Sequence, residues 1–468
     1  MKYVALVPEA LVVATAVFLL TGGRFGWISP RARRYLPAAT AAVALIALLI
    51  ELTAGATLSS YLGGGLVQDR FSLFAKAAVL LTVTIAFAVV DWTAEDSLSI
   101  GLAMPLLAAF GVMVAASAGD LIALWAGLEL AAAAGVVMVS LRRPDLAMRL
   151  LITGGVASAL LLTGLAFLYA TVGTSDLAAM REVLFSGAPT LALAIPVFLV
   201  ITGLAIRATL APFQLASIPA SLGASPLGAG LVLGLVAAAS GTVAIKLVAA
   251  LTPIPAAYSS YLEVVAAVAM VGGGAAALAV RSPRARLAYL AAGQIGWVAA
   301  GLVTHYRAGL AGSLFLLGAF AVAATCGPAV MGRAEGGELA LAGFGVLRPA
   351  RAAGLALAVL SLAGAPPLAG FFGEFAVAAA LAQSGHFGLL ALGLLGAGLS
   401  LAAAVGTLRL IYIQSPLEEA RRGSALPVLT RLSSAGAVAF CVVIAAYGLL
   451  SSPILGLADQ GAEALGLR

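Results

Sequence analysis

Apolar runs of about 20 residues recur from one end of this chain to the other, separated by short polar stretches. At 1.5 Å per residue, each such run crosses a hydrocarbon layer of roughly 30 Å as a helix. The composition leaves little else to build. Of 468 residues, 63% are hydrophobic and 9% are charged, and the mean hydropathy is +1.13. A typical soluble domain carries roughly a quarter charged residues to make its polar surface. The runs are also too long for outer-membrane barrel strands, which alternate polar and apolar over about 10 residues. The expected class is an all-α polytopic membrane protein of 14 transmembrane helices. The first run follows only Lys2 and leads straight into further spans. It therefore reads as a crossing rather than a cleaved signal.

The positive balance of +6 falls mostly in short loops and calls for no nucleic acid. Loops after odd-numbered spans hold Arg24, Arg31, Arg33 and Arg34, then Arg142, Arg143 and Arg149, then Arg281, Arg284 and Arg286. Further on they hold Arg333, Arg348 and Arg351, then Arg421, Arg422 and Arg431. Even-numbered loops hold only Arg70, Arg181 and Arg307. By the positive-inside rule the arginine-rich loops are cytoplasmic and both termini external. A protein of the inner membrane is expected. Cys326 and Cys441 lie in apolar segments and have no metal-ligand spacing, so both read as buried thiols.

Two spans are interrupted. The seventh, near 190–212, carries Pro196 and Pro212 and runs on through Ser217-Ile218-Pro219 toward Ser225-Pro226. The twelfth, near 350–380, holds Gly364, Pro366, Pro367, Gly370 and Gly373. Proline removes a backbone donor and clashes with the preceding turn, so carbonyls are freed inside the membrane. Breaks in corresponding places of two halves suggest a transporter-type repeat. The halves are two inverted five-helix repeats, spans 4–8 over 99–250 and spans 9–13 over 257–413. They follow a three-helix segment over 1–98 and precede a C-terminal helix within 414–468.

Ionisable residues inside spans are the candidate functional groups, because a charge at the bilayer centre costs about 2.5–3.5 kcal/mol on insertion scales. Glu129 is the sixth residue of Leu124-Trp125-Ala126-Gly127-Leu128-Glu129 and is a candidate proton holder, its partner coming from another helix. Asp120 caps the same span. Arg207 precedes the first break. It stays protonated, and so holds a carboxylate ionised rather than releasing a proton. Lys246 is a cation able to switch, although a nearby span end also allows snorkelling. Glu374 follows the second break, and Gln294 is a neutral bridge for a water chain. Tyr289, Thr202 and Thr242 are lesser hydroxyl relays. Lys76, Arg149, Glu263 and Arg409 lie near span ends and read as snorkelling, while Glu9, Glu51 and Asp91 read as edge residues. His305 and His386 fall outside the centre. The spacing suits a horizontal polar path and no metal or redox cluster.

At these positions the chain resembles the antiporter-like membrane subunits of respiratory complex I, with their Mrp-antiporter and membrane-bound hydrogenase relatives. The resemblance covers nearly the whole length and is nearest in pattern to the N-type subunits. It rests on Asp69-Arg-Phe-Ser-Leu-Phe, on Asp120 through Glu129, on Ala147-Met-Arg149 and on Gly203 through Phe213. Arg286 through Gly296 and the specific run Leu362 to Phe372 complete it. It implies that Glu129 is the family's central glutamate and that Arg149 and Arg207 stand where lysines are usual. Gln294 takes a histidine position. Gln214 stands where another histidine is usual, the eighth-span lysine falls nearer Gly241 than Lys246, and Glu374 stands where N-type subunits have lysine. The member with a long lateral helix is excluded by the expectation that the chain ends soon after span 14.

The resemblance implies a proton-translocating subunit in a large hetero-oligomeric complex. Homologous antiporter-like subunits and lipid would be its neighbours, and peripheral redox subunits would act on it indirectly. It implies no cofactor in this chain, since NADH and quinone would bind elsewhere. Protons would pass along Glu129, Arg207, Lys246, Gln294 and Glu374. An Mrp-type cation/proton antiporter, a hydrogenase subunit and a non-pumping subunit that keeps the fold are the alternatives.

Overall fold

The computed structural model describes residues 6–53, 59–90, 99–187, 190–332, 341–414 and 430–466. Asp91, Arg333, Arg421 and Arg422 lie outside them. The helices in chain order are α1 Val7–Arg24, α2 Pro30–Thr53, α3 Arg70–Val89, α4 Ser99–Ser117, α5 Leu121–Ser140, α6 Pro144–Val172 and α7 Leu177–Phe185. Then come α8 Thr190–Arg207, α9 Ser217–Gly223, α10 Pro226–Gly230, α11 Ala237–Leu251, α12 Ser259–Ala279, α13 Pro283–Val303, α14 Arg307–Met331 and α15 Phe344–Leu347. The last are α16 Pro349–Leu362, α17 Ala369–Gln383, α18 Phe387–Tyr412, α19 Thr430–Leu449 and α20 Ser451–Ala464. A π-helical segment, Leu231–Val236, joins α10 and α11 into one continuous span. Among the described residues ten helices are long and apolar enough to cross a bilayer, or eleven if α19 and α20 count as one bent span. Four shorter apolar helices accompany them. The chain is a multi-pass membrane protein.

Local chemistry sets the helix starts. Asp69 caps α3 by accepting from the Ser72 amide at 2.7 Å, and the Ser72 hydroxyl accepts from the Asp69 amide at 2.9 Å. Asp120 caps α5 through the Ala123 amide at 2.7 Å, and Asp176 caps α7 through Ala179 at 2.8 Å. Small residues let the helices close up, since lipid tails supply no hydrophobic drive between them. A Cβ added at Gly127 would lie 2.6 Å from the Ala115 amide nitrogen of α4, and one at Gly203 2.7 Å from the Ala157 carbonyl of α6. The innermost helix is α14, whose apolar window is wholly buried; α2, α6 and α18 line the periphery.

Three features depart from the expectation of plain straight spans. Residues Ser59–Tyr61 and Leu66–Gln68 form an antiparallel hairpin, β1 and β2, fastened to the α4–α5 turn by Gly119 N–H to Gly65 O at 2.9 Å. The loop after α6 contains a helix of its own, α7. The last span, expected as one C-terminal helix within 414–468, turns by 73° between α19 and α20. Pro453 lacks the amide that a continuing helix needs there, and sits instead in the first turn of α20, where none is needed.

That turn lays α20 across one face of the bundle, where it holds all three basic residues of the even loops. Arg70 Nη1 donates to Gln460 Oε1 at 2.9 Å and Arg181 Nη1 to the Leu465 carbonyl at 2.8 Å. Arg307 forks onto Asp459 at 2.8 and 2.5 Å and reaches Glu463 at 2.9 Å. The three sparse-charge loops therefore share a face with the C-terminal helix.

Candidate functional site

Both interruptions are real breaks in the helices. The helix α8 stops at Arg207, the backbone turns at Thr209 with φ +62°, and helix resumes at Ser217. The second lies between Leu362 and Ala369, where Gly364 takes φ +69°.

Arg207 is the last residue of α8, where the helix dipole favours a cation. Its Nη2 donates to Oε1 and Oε2 of Glu129, both at 2.7 Å, so the pair ties α8 to the middle of α5. The Arg207 side chain is 9% exposed and that of Glu129 27%. Gly154 of α6 gives the guanidinium room, because a Cβ there would lie 3.2 Å from Nη1. Among the described residues the buried Nε of Arg207 has no hydrogen-bond partner. Beside it lies a cavity of ≈ 30 Å³ whose lining includes Thr153, Gly154, Arg207, Phe213 and Ser217. One water needs roughly 10–15 Å³ of such space and two or more polar neighbours. The first break thus offers a hydratable ion pair.

At the second break Gln294 of α13 is buried and donates Nε2–H to the Ser361 carbonyl at 2.8 Å. That carbonyl is in the last turn of α16, where helix termination leaves acceptors open. Glu374 is buried in α17, with its carboxylate against Gly364: a Cβ there would fall 2.1 Å from Oε2. Among the described residues Glu374 has no ion-pair partner.

Lys246 belongs to neither group. Its Nζ donates to the carbonyls of Ala116 and Ala118 at 2.7 and 2.6 Å, closing the end of α4, and stands 5.5 Å from the Phe71 ring centre. Among the described residues it makes no hydrogen bond or ion pair with Glu129 or Arg207. Arg149 is exposed on α6 and touches none of the other candidates. The six candidates therefore divide into Glu129 with Arg207, Gln294 with Glu374 around one break, and Lys246 and Arg149 apart.

One buried cluster is missing from the sequence reading. Lys76 is fully buried instead of snorkelling, with Nζ in an ion pair 2.5 Å from Glu9 Oε1 and donating a hydrogen bond to Gln68 Oε1. Gln68 Nε2 donates to Glu51 Oε2 at 3.2 Å. The available signal was Lys76 itself, the seventh residue of an otherwise apolar α3. Proximity to a helix end hid it, because the end is covered by the hairpin. The two histidines have partners within the second half of the chain: His305 Nδ1 is 3.0 Å from the Tyr258 hydroxyl, and His386 Nδ1 is 3.9 Å from Glu263. Burial, then the His386 charge, pushes the loop residue His305 down to about 4 from the ordinary 6.5. Cys326 is buried and Cys441 partly so, both as free thiols.

Residues 118–400 match the family described as NADH:quinone oxidoreductase/Mrp antiporter, transmembrane. NADH-quinone oxidoreductase subunit N of Granulibacter bethesdensis is 31% identical over 88% of this chain and 90% of its own length. A chain of respiratory complex I from Thermus thermophilus superimposes with a TM-score of 0.80 at 24% identity, covering 97% of this chain and 99% of that one. A chain of the Mrp complex from a Dietzia species gives 0.83 at 19% identity, covering 99% and 97%. The last two likenesses concern the fold alone. With a matched family core that includes both breaks and the Glu129–Arg207 pair, this multi-pass inner-membrane chain belongs to the NADH:quinone oxidoreductase/Mrp antiporter family of membrane subunits, as an antiporter-like member of the complex I type.

Proposed function

We propose that this chain is a proton-translocating membrane-arm subunit of a complex I-type NADH-quinone oxidoreductase. The observation that carries the reading is the Glu129–Arg207 pair, built at a helix break beside a hydratable cavity. Its partners are homologous antiporter-like subunits and, at a distance, the redox subunits whose chemistry supplies the energy. Counting α1, α8, the broken pair α16–α17 and α19 as one crossing each, beside the ten long helices, gives 14. Two inverted repeats then place one break in each half, and the loops under α20 face outward.

Closed, the pair keeps Glu129 ionised, because a cation within hydrogen-bond reach favours the charged form. When Arg207 moves away, the carboxylate loses its counter-ion and takes a proton from water admitted through the cavity that Arg207 lines. Return of Arg207 expels that proton. Arg207 acts by position only, since guanidinium does not release its proton. Gln294 and Glu374 form the second half-site, where Glu374 alone holds charge or proton. Arg149, exposed on α6, is assigned to a neighbouring subunit or lipid rather than to the path.

The test uses sealed vesicles holding the whole complex. Quinone reduction should acidify the lumen without added sodium, and a protonophore should abolish the gradient. Flux that follows sodium and survives protonophore would assign the chain to cation exchange instead.

A further inference from the structure

We propose that Glu9 and Lys76 form a second proton station, supplied from Lys246 and opening through Glu51 at the face that carries the hairpin. The inference rests on the proton-translocating reading above and adds residues to it. Three helix ends meet there beside α11: Glu9 in the first turn of α1, Glu51 near the end of α2 and Lys76 in the second turn of α3, with Lys246 within α11. Lys76 Nζ sits between the Glu9 carboxylate and the Gln68 amide oxygen, and the Gln68 amide nitrogen passes contact on to Glu51. Glu51 is half-buried and reaches the rim. Inward, Lys246 donates to the Ala116 and Ala118 carbonyls, and Ala118 pairs with Leu66 of β2, the strand that carries Gln68. Glu9, Glu51, Asp69, Lys76 and Lys246 are the charged groups that face one another in this cluster.

A buried ion pair is a poor device for stability alone. An apolar pair of similar volume is often as stable or more so. What this pair offers is chemistry that Glu129 and Arg207 lack. Both pairs join a carboxylate to a cation across helices, but lysine loses its proton when its surroundings change and arginine does not. A proton arriving through Lys246 moves from its Nζ to Lys76 as Lys76 gives its own to Glu9. The result is a neutral carboxylic acid and an ammonium. Loss of the Glu9 proton to water at the rim, by way of Glu51, restores the ion pair. Lys246 is recharged from water on its inner side, so one proton enters and one leaves.

The geometry changes the route. The route proposed here ends at the hairpin face, whereas the horizontal reading carries it from Arg207 through Lys246 to Gln294. The whole complex is the test object, in Glu9→Gln, the apolar pair Glu9→Leu with Lys76→Met, and Glu129→Gln. Each is assayed for subunit content, quinone reduction and protons moved per quinone reduced. Infrared difference spectra of wild type and Glu9→Gln follow the carboxylic C=O band as pH is lowered. The proposal expects both Glu9 variants to assemble and reduce quinone with a lowered proton yield, and Glu9→Gln to lose a carboxyl band. Wild-type yield and an unchanged band in Glu9→Gln, with the yield still lost in Glu129→Gln, would overturn the station and leave translocation standing. Unchanged yield in all three would overturn the translocating role itself. If the Glu9 variants fail to assemble, the wild-type spectrum decides: no titrating buried carboxyl overturns the station.

Discussion

One guanidinium nitrogen of Arg207, the residue that ends α8, reaches both carboxylate oxygens of Glu129, midway along α5, at 2.7 Å. A single nitrogen serving two oxygens holds the pair without the parallel two-nitrogen fork that makes arginine–carboxylate contacts most rigid. The contact is short, lacks that fork, and lies directly before the helix break.

The first prediction concerns that cation. Arg207→Lys should assemble and keep part of the proton yield. Arg207→Ala should lose the yield and also lower assembly of the complex, because it leaves the Glu129 carboxylate without its counter-ion inside the membrane. Blue-native gels and vesicle acidification separate the two effects. Equal, wild-type behaviour of both variants would make the pair dispensable.

Gly154 should be sensitive to size. Its Cβ position lies 3.2 Å from Arg207 Nη1, so alanine asks the guanidinium for a few tenths of an ångström, and valine displaces it. Gly154→Ala should pump near normally and Gly154→Val should resemble Glu129→Gln. Comparable pumping by the two would show that the guanidinium has other room.

At the second break, Gly364 has φ +69° and no space for a Cβ beside Glu374. Gly364→Ala should lower thermal stability by about 1–3 kcal/mol for the backbone conformation alone. Its Glu374→Ala background should relieve the side-chain part of the loss and leave the backbone part. A differential melt of the four variants reads this directly.

How much of this was legible beforehand follows from where each signal resides. Apolar run length located the ten long helices among the described residues, and proline with glycine located both breaks, because backbone donors are lost at the proline itself. Glu129 and Arg207 were found as isolated charges in apolar surroundings, and the structure joins them. Lys246 stands apart from Glu129 and Arg207, a placement the sequence does not reveal because its partners are carbonyls at the end of α4, over 120 residues earlier in the chain. Glu9 and Lys76 were passed over for a related reason: nearness to a helix end signals exposure only when nothing covers that end. The hairpin carries weak alternation in six strand residues, and α20 is announced only by Asp459 and Glu463 waiting for Arg307.

Loop chemistry gives a pH prediction. His305 is held at about 4 by burial, against 6.5 when unfolded. Between these values the unfolded chain binds a proton that the folded chain refuses. Stability should therefore fall as pH drops from about 6.5 toward 4, and be complete above 6.5. His305→Gln should flatten that limb in thermal melts at pH 7, 6 and 5. An unaltered slope would place the sensitivity elsewhere.

The central claim is that Glu129 carries a proton. The most direct measurement is the number of protons moved per quinone reduced in vesicles holding the Glu129→Gln complex, with quinone reduction recorded in the same sample. The account predicts an assembled, redox-active complex whose proton yield is lower than wild type. A yield equal to wild type at equal turnover would contradict it.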